Sequence, residues 1–246
     1  NVTVYNRTRH KAEKWIKEYK GKIAETPEEA AENSDFVFTC VGNDDDLKEV
    51  AIGKKGIFNT IKKDSIYIDN TTASAKVARE LHKNAKAHGF GFLDAPVSGG
   101  QAGAEKGALT VMVGGDKDDF NKAKHVIDCY SKKVQLLGPS GSGQLAKMVN
   151  QICIAGLVQG LSEATNFGLN AGLNMEKVIE VISKGAAQSL ITSKVNLPPA
   201  PNVVAPPLIS TSWSLSLVGM PVALTKTEYG IGLVPKVDPA ELLIVI

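Results

Sequence analysis

The sequence predicts an α/β fold: a doubly wound sheet, followed by an all-α second domain that opens with one long helix. Two observations predict this. From residue 2 to residue 138, short apolar runs alternate with amphipathic stretches across short connections. That is the pattern of a sheet with helices on both faces. From Gly143 to Asn170 one helical periodicity runs almost unbroken, about 40 Å of helix at about 1.5 Å per residue. The break between the two patterns, Pro139-Ser140-Gly141, is expected to divide the chain into domains 1–140 and 141–246.

The elements follow in order. Residues 1–8 read as a buried strand and a polar turn. Residues 9–20 place Ala12, Trp15, Ile16 and Tyr19 on one helical face. Thr26-Pro27-Glu28-Glu29 is a helix start, with a capping threonine, proline at the first helical position and acids in the first turn. Residues 34–42 form a strand ending in glycine, and residues 44–53 a helix opened by three acids. A strand at 65–72 precedes an amphipathic helix at 73–89 with Gly89 past its end. Residues 90–100 read as strand, proline turn and paired glycines. A strand at 108–116, a helix at 117–131 and a strand at 132–138 complete the first domain. Such alternation predicts parallel strands throughout.

Composition excludes several classes. The chain has 246 residues, 43% hydrophobic and 22% charged, with a net charge of +2. This is ordinary for a soluble globular protein with a real core. No basic–aromatic stripe points to nucleic acid, and no apolar run reaches the length of a membrane span. Cys40, Cys129 and Cys153 are far apart and odd in number, which suits reduced thiols in the cytoplasm. The four histidines are scattered and supply no zinc motif.

Ligands of doubly wound sheets bind beyond the carboxyl ends of the strands. The residues there are Asn6-Arg7-Thr8, Val41-Gly42-Asn43, Asn70-Thr71-Thr72 and Ser98-Gly99-Gly100. Arg7 could simply cap a solvated turn, or it could pair with a ribose 2′-phosphate. Asp44, Asp45 and Asp46 fit a first helical turn on dipole grounds alone, and no metal is required. Paired glycines let backbone N–H groups converge on a carboxylate, or merely form a tight turn. On the long helix Lys147, Asn150 and Gln151 share one face. A lysine near a helix start has its charged form disfavoured by the dipole, and burial adds to this.

The ordered set Asn-Arg-Thr (6–8), Asp-Asn-Thr-Thr (69–72), DAPVSGG (94–100) and GSGQLAKMVNQ (141–151) resembles the β-hydroxyacid dehydrogenase family. That family includes 3-hydroxyisobutyrate dehydrogenase and the tartronate, glyoxylate and succinic semialdehyde reductases. The resemblance covers roughly residues 1–190 and implies a Rossmann-like first domain. It implies Lys147 as general acid/base, with Ser98, Gly99 and Gly100 holding the substrate carboxylate. Asn150 or Gln151 would orient substrate or lysine, Asn150 being preferred. Thr72 would lie near the nicotinamide. Val41, Gly42 and Asp46 would pass the cofactor, and Asn6, Arg7 and Thr8 would form the adenosine-side turn. Arg7 suggests NADP over NAD. The expected reaction is hydride transfer between the nicotinamide and a small β-hydroxyacid or its semialdehyde, in a homodimer or homotetramer. A non-catalytic dinucleotide-binding module and an imine reductase-like enzyme are the alternatives.

Two departures from the family stand out. Residues 1–40 supply no G-x-G-x-x-G turn, so the chain opens at what should be the second strand and is expected to be incomplete at its start. Residues 195–246 hold eight of the eleven prolines and few charges. They lack the family's Lys-Asp-Leu segment, and no site residue is expected beyond Gln151.

Overall fold

In the computed structural model the described residues are 2–188 and 243–245. They fall into two compact units. One extends to Val149 and includes Leu243–Val245; the other starts at Asn150. The division lies inside a helix, whereas the sequence pattern breaks at residue 140. The first two turns of that helix are bonded to the sheet, as described below.

The first unit is a twisted sheet with helices on both faces. Its strands are β1 (Thr3–Tyr5), β2 (Lys22–Ile23), β3 (Phe36–Thr39), β4 (Ile66–Asp69), β5 (Gly91–Asp94), β6 (Val97–Ser98), β7 (Leu109–Gly115), β8 (Ser131–Gly138) and β9 (Leu243–Val245). The helices are α1 (Arg9–Glu18), α2 (Pro27–Ala31), α3 (Asp44–Ile52), α4 (Ala75–His88), α5 (Gly100–Glu105) and α6 (Lys117–Ile127), with the start of α7 (Ser142–Asn170). Strand order is β2-β1-β9-β3-β4-β5-β7-β6, with β8 paired to β7.

Successive residues of the central strands serve opposite faces, as the pleat requires. Tyr67 and Phe92 pack with Leu47, Val77, Leu81 and Phe58 on one side. Ile66, Ile68 and Leu93 pack with Val111, Ala123 and Ile127 on the other. The helix start at Thr26 acts as the sequence suggests, and α3 and α4 carry caps of the same kind. Thr26 caps α2 by accepting from Glu29 N–H, Asn43 caps α3 from Asp46 N–H, and Ser74 caps α4 from Val77 N–H. On α1 Ala12 is buried, while Trp15 stacks on Tyr19 at 5.1 Å between ring centroids.

Two features correct the expectation of parallel strands throughout. β7 runs antiparallel to β5 and to β6. The connection from β6 to β7 holds only the six-residue α5, too short for the crossover of a dozen or more residues that a parallel return needs. The second feature is β9, which lies between β1 and β3 and is antiparallel to both, with Tyr5 opposite Leu243 and Phe38 opposite Ile244. In the common doubly wound strand order this central slot belongs to the first strand. Here β1 occupies the second position, as the sequence suggests, and β9 fills the slot beside it.

The second unit contains the remainder of α7 and α8 (Met175–Ile182). Asn174 caps α8 through Lys177 N–H. Gly168 approaches Met175 so closely that no Cβ fits between them. Gly156 and Gly160 stand four residues apart on α7, and a Cβ at either would meet nothing within 4 Å among the described residues. The proline-rich stretch 196–207 and the remainder of the unusual tail up to residue 242 lie outside the described residues.

Candidate active site

The carboxyl ends of the parallel strands bring most of the expected residues of the first unit to one edge. Thr39, Asp69 and Asp94, the last residues of β3, β4 and β5, pair in register. All three are buried. The Tyr67 and Thr39 hydroxyls lie 2.9 Å apart, and Thr39 Oγ1 is 2.8 Å from Asp69 Oδ1. Because Thr39 has a single hydroxyl proton, it donates to Asp69 and accepts from Tyr67. Thr71 N–H also donates to Asp69 Oδ1 at 3.1 Å, but Asp69 Oδ2 has no partner among the described residues. Burial therefore pushes the Asp69 carboxyl up to about 7, against the pull of these bonds.

Asp94 begins the DAPVSGG segment, and its carboxylate is committed. Gly141 N–H donates to Oδ1 at 2.7 Å and Gln144 N–H to Oδ2 at 3.0 Å. The N-terminus of a helix is a ready anion site; the one at α7 is filled by this internal carboxylate. Close approach makes it possible. A Cβ on Gly143 would lie 2.5 Å from the carbonyl oxygens of both Asp94 and Met112.

Lys147 lies in the second turn of α7 and is 8% exposed. Its Nζ donates to Val97 carbonyl oxygen at 2.8 Å, one residue before Ser98. No carboxylate among the described residues pairs with it, and burial lowers its pKa from the ordinary lysine value. Ser98 is half-buried, and Gly99 and Gly100 are exposed with positive φ of 138° and 61°. Side chains other than glycine rarely adopt that conformation. Gly99 precedes α5 with no side-chain cap. Thr72 is half-buried in the turn after β4. Asn150 and Gln151 belong to the second unit, where Asn150 Nδ2 donates to Gln151 Oε1 at 2.9 Å.

Of the cofactor-side residues, Arg7, Val41 and Asp46 line a cavity of about 430 Å³. Tyr5, Pro27, Val41 and Val50 give it apolar walls, and Arg7, Lys54 and Lys55 share its rim with Glu25, Asp46 and Glu49, so that its charges balance. Asn6 is buried and bonds Thr8 N–H through its side chain at 2.8 Å, which fixes the turn that presents Arg7. Val41 N–H donates to Thr71 Oγ1 at 3.0 Å, joining the loops after β3 and β4. Asp46 is 3.3 Å from Arg7 Nη1 and accepts from Asn43 Nδ2 at 2.9 Å, lying directly over Gly42. Asp44 accepts from Ser74 N–H and hydroxyl. In size and in its mixture of apolar wall and polar rim the cavity suits part of a dinucleotide. The slot between β1 and β3, next to which a pyrophosphate-binding turn would stand, carries β9 instead.

The sequence patterns missed Asp69, Asp94 and Gln144 as site-forming residues, and placed Thr71 at a strand end without giving it a role. Asp94 and Gln144 lay inside the two most distinctive motifs, as polar residues among glycine and apolar neighbours, which is the signal that could have found them.

This fold and edge define a doubly wound, dinucleotide-binding class of α/β protein. The family described as the NAD binding domain of 6-phosphogluconate dehydrogenase matches residues 1–138. The NAD-binding domain of NADP-dependent 3-hydroxyisobutyrate dehydrogenase matches residues 141–204. The chain belongs to the β-hydroxyacid dehydrogenase family. It is 60% identical over 189 residues to an uncharacterized oxidoreductase of Shewanella frigidimarina, covering 77% of this chain and 65% of that protein. It is 36% identical over 189 residues to a probable mitochondrial 3-hydroxyisobutyrate dehydrogenase of Dictyostelium discoideum, covering 77% and 58% respectively. The structure of Mycobacterium tuberculosis 3-hydroxyisobutyrate dehydrogenase with L-serine is similar at a TM-score of 0.70 and 26% identity, covering 80% of this chain and 66% of that one. The chain thus spans about 65% or less of the length of the curated relatives it matches.

Proposed function

We propose that this chain belongs to an oxidoreductase that transfers a hydride between NADP(H), or less readily NAD(H), and a small β-hydroxyacid or its semialdehyde. The observation that carries the reading is Lys147: a buried, carboxylate-free lysine held at 2.8 Å on the segment that leads into Ser98-Gly99-Gly100. Burial lowers the Lys147 pKa from the ordinary lysine value, which brings the neutral amine within easier reach and suits a group that both gives and takes a proton.

The nicotinamide supplies or accepts the hydride when bound. This chain's residues do the remainder. Backbone N–H groups of Ser98, Gly99 and Gly100 hold the substrate carboxylate and so fix the reacting carbon. Lys147 Nζ gives its proton to the carbonyl oxygen during reduction and takes the hydroxyl proton during oxidation. Asn150, or Gln151 beside it, orients the substrate. Thr72 stands at the nicotinamide side, and Val41, Gly42 and Asp46 border the cofactor's path. Asn6, Arg7 and Thr8 form the adenosine side, where Arg7 selects a 2′-phosphate.

Two further expectations belong to this reading. Phe167 and Val181 are each 72% exposed on the helices of the second unit, which supports a homodimer or homotetramer assembled through residues 141–246. Cys40, Cys129 and Cys153 are free thiols, which suits the cytoplasm. No helix among the described residues is long and apolar enough to cross a membrane.

The test is NADPH consumption with a panel of semialdehydes, run on the wild type and on Lys147→Ala. The variant is expected to lose about 10²–10⁴ in turnover. Turnover of Lys147→Ala within about tenfold of wild type would remove the lysine from the chemistry.

A further inference from the structure

We infer that Gln144 is a positioning residue that sets the place of Thr72 against Lys147, an assignment that rests on the reading just given. Gln144 is completely buried. Its side-chain Nε2 donates to Thr71 carbonyl oxygen at 2.7 Å, and its Oε1 accepts from Ala73 N–H at 2.9 Å. Thr72 is the only residue between these two. One planar amide therefore grips the backbone on both flanks of Thr72, using a donor and an acceptor at once.

The same residue is tied to the other wall. Its backbone N–H donates to Asp94 Oδ2 at 3.0 Å. Asp94 ends β5 and leads into the segment whose Val97 carbonyl accepts from Lys147 Nζ at 2.8 Å. Lys147 itself lies three residues beyond Gln144 on α7, so the two stand on neighbouring turns of one face. Asp69 and Asp94, register partners on adjacent strands, anchor the two loops from below. Gln144 thus ties α7 to both the Thr71–Ala73 turn and the Asp94 start of the DAPVSGG segment, which Asp69 joins from the sheet by accepting from Thr71 N–H and Ala95 N–H.

The chemistry explains the choice of side chain. The turn presents one carbonyl and one N–H to the buried Gln144 side chain, and each must be satisfied. A side-chain amide carries a donor and an acceptor on separate atoms of one plane, without charge. A glutamate carboxylate would face the Thr71 carbonyl with like-signed oxygen, whereas its protonated form would reproduce the amide's pattern. A leucine would leave both backbone groups unpaired and let the turn move. A displacement of about 1 Å in a reacting constellation costs up to ~10²-fold in rate, while uniform binding of the substrate is untouched.

The test uses the full chain with Gln144→Leu and Gln144→Glu. For Gln144→Leu, kcat is expected to fall by about 10- to 100-fold while the substrate KM stays within about threefold. Hydrogen-exchange protection of the Ala73 amide should be lost in the same variant. Gln144→Glu should recover activity as pH falls and its carboxyl takes up a proton, a rescue that a generally weakened fold would not show. That rescue also serves if Gln144→Leu fails to fold. A folded Gln144→Leu with kcat within about twofold of wild type, or a Gln144→Glu without acid rescue, overturns the assignment. If the wild type itself turns over no substrate, the proposed activity falls and the catalytic role with it. Ala73 protection then decides the clamp separately: its loss in Gln144→Leu upholds the clamp, and its retention refutes it.

Discussion

Asp69 and Asp94 are register partners at the ends of β4 and β5, and both side chains are fully buried. Their surroundings differ. Asp94 receives N–H groups from the start of α7 on both oxygens, while Asp69 Oδ2 receives nothing among the described residues. Burial raises the pKa of both, and takes Asp69 to about 7. The ordinary aspartate value in an unfolded chain is about 3.9. Between these values the folded protein keeps a proton that the unfolded chain has released. The stabilisation is therefore complete below about pH 4 and lost as pH rises through about 7. The melting temperature should fall across that window. Asp69→Asn keeps the acceptor for Thr39 and Thr71 and cannot ionise, so its melting curve should lose most of this slope. A variant with the wild-type slope would place the titration elsewhere.

The glycines of α7 are expected to respond in opposite directions. At Gly143 a Cβ would press on two backbone carbonyls at 2.5 Å. Neither is a flexible side-chain end, so Gly143→Ala should destabilise by about 1–3 kcal/mol. At Gly156 nothing lies within 4 Å among the described residues. Gly156→Ala should then stabilise by about 0.5–1 kcal/mol through helix propensity alone. Urea midpoints measure both. A destabilised Gly156→Ala would reveal a neighbour pressed against that face.

These glycines also show how far the sequence could be read. Patterns set by near neighbours were legible: the Thr26-Pro27 start, Gly89 at the end of α4, the alternation at the start of β7, and the long helix ending at Asn170. Lys147 and the Ser98-Gly99-Gly100 turn were legible as candidates because each combines an unusual residue with a break in pattern. Arrangements set by distant partners were not. β2 has two residues, too few for a period. The reversal at β7 depends on the length of α5, and β9 pairs with strands some two hundred residues away. Gln144 reaches Thr71 and Ala73 across more than seventy residues. Its place among glycines and apolar residues marks it as unusual, but no local pattern names partners so far away.

Arg7 should decide between the two cofactors. Its guanidinium is 68% exposed and 3.3 Å from Asp46, and a pair so exposed contributes little to stability. Arg7→Ala should leave the melting temperature nearly unchanged. It should weaken NADPH binding by about tenfold, about 1.4 kcal/mol, and leave NADH binding as it was. Titration of the cofactor's fluorescence reads both. Equal weakening for NADPH and NADH would mean that Arg7 shapes the turn and does not select the phosphate.

Lys147 makes the strongest demand on pH. Its Nζ is bonded to Val97 carbonyl and burial disfavours its charge. Oxidation of a hydroxyacid needs the neutral amine, so its rate should rise with pH through the lysine pKa. That limb should lie below the ordinary lysine value of about 10.4. Reduction needs the ammonium, and its rate should fall across the same limb. Lys147→Arg provides the control. A guanidinium keeps its charge and satisfies the Val97 carbonyl, yet it neither gives nor takes a proton in this range. The variant should bind substrate carboxylate normally and lose about 10²–10⁴ in turnover in both directions. Its residual activity should show no lysine limb. A Lys147→Arg enzyme that still reduces substrate at a rate near wild type would show that charge at this position, and not proton transfer, is what the reaction uses.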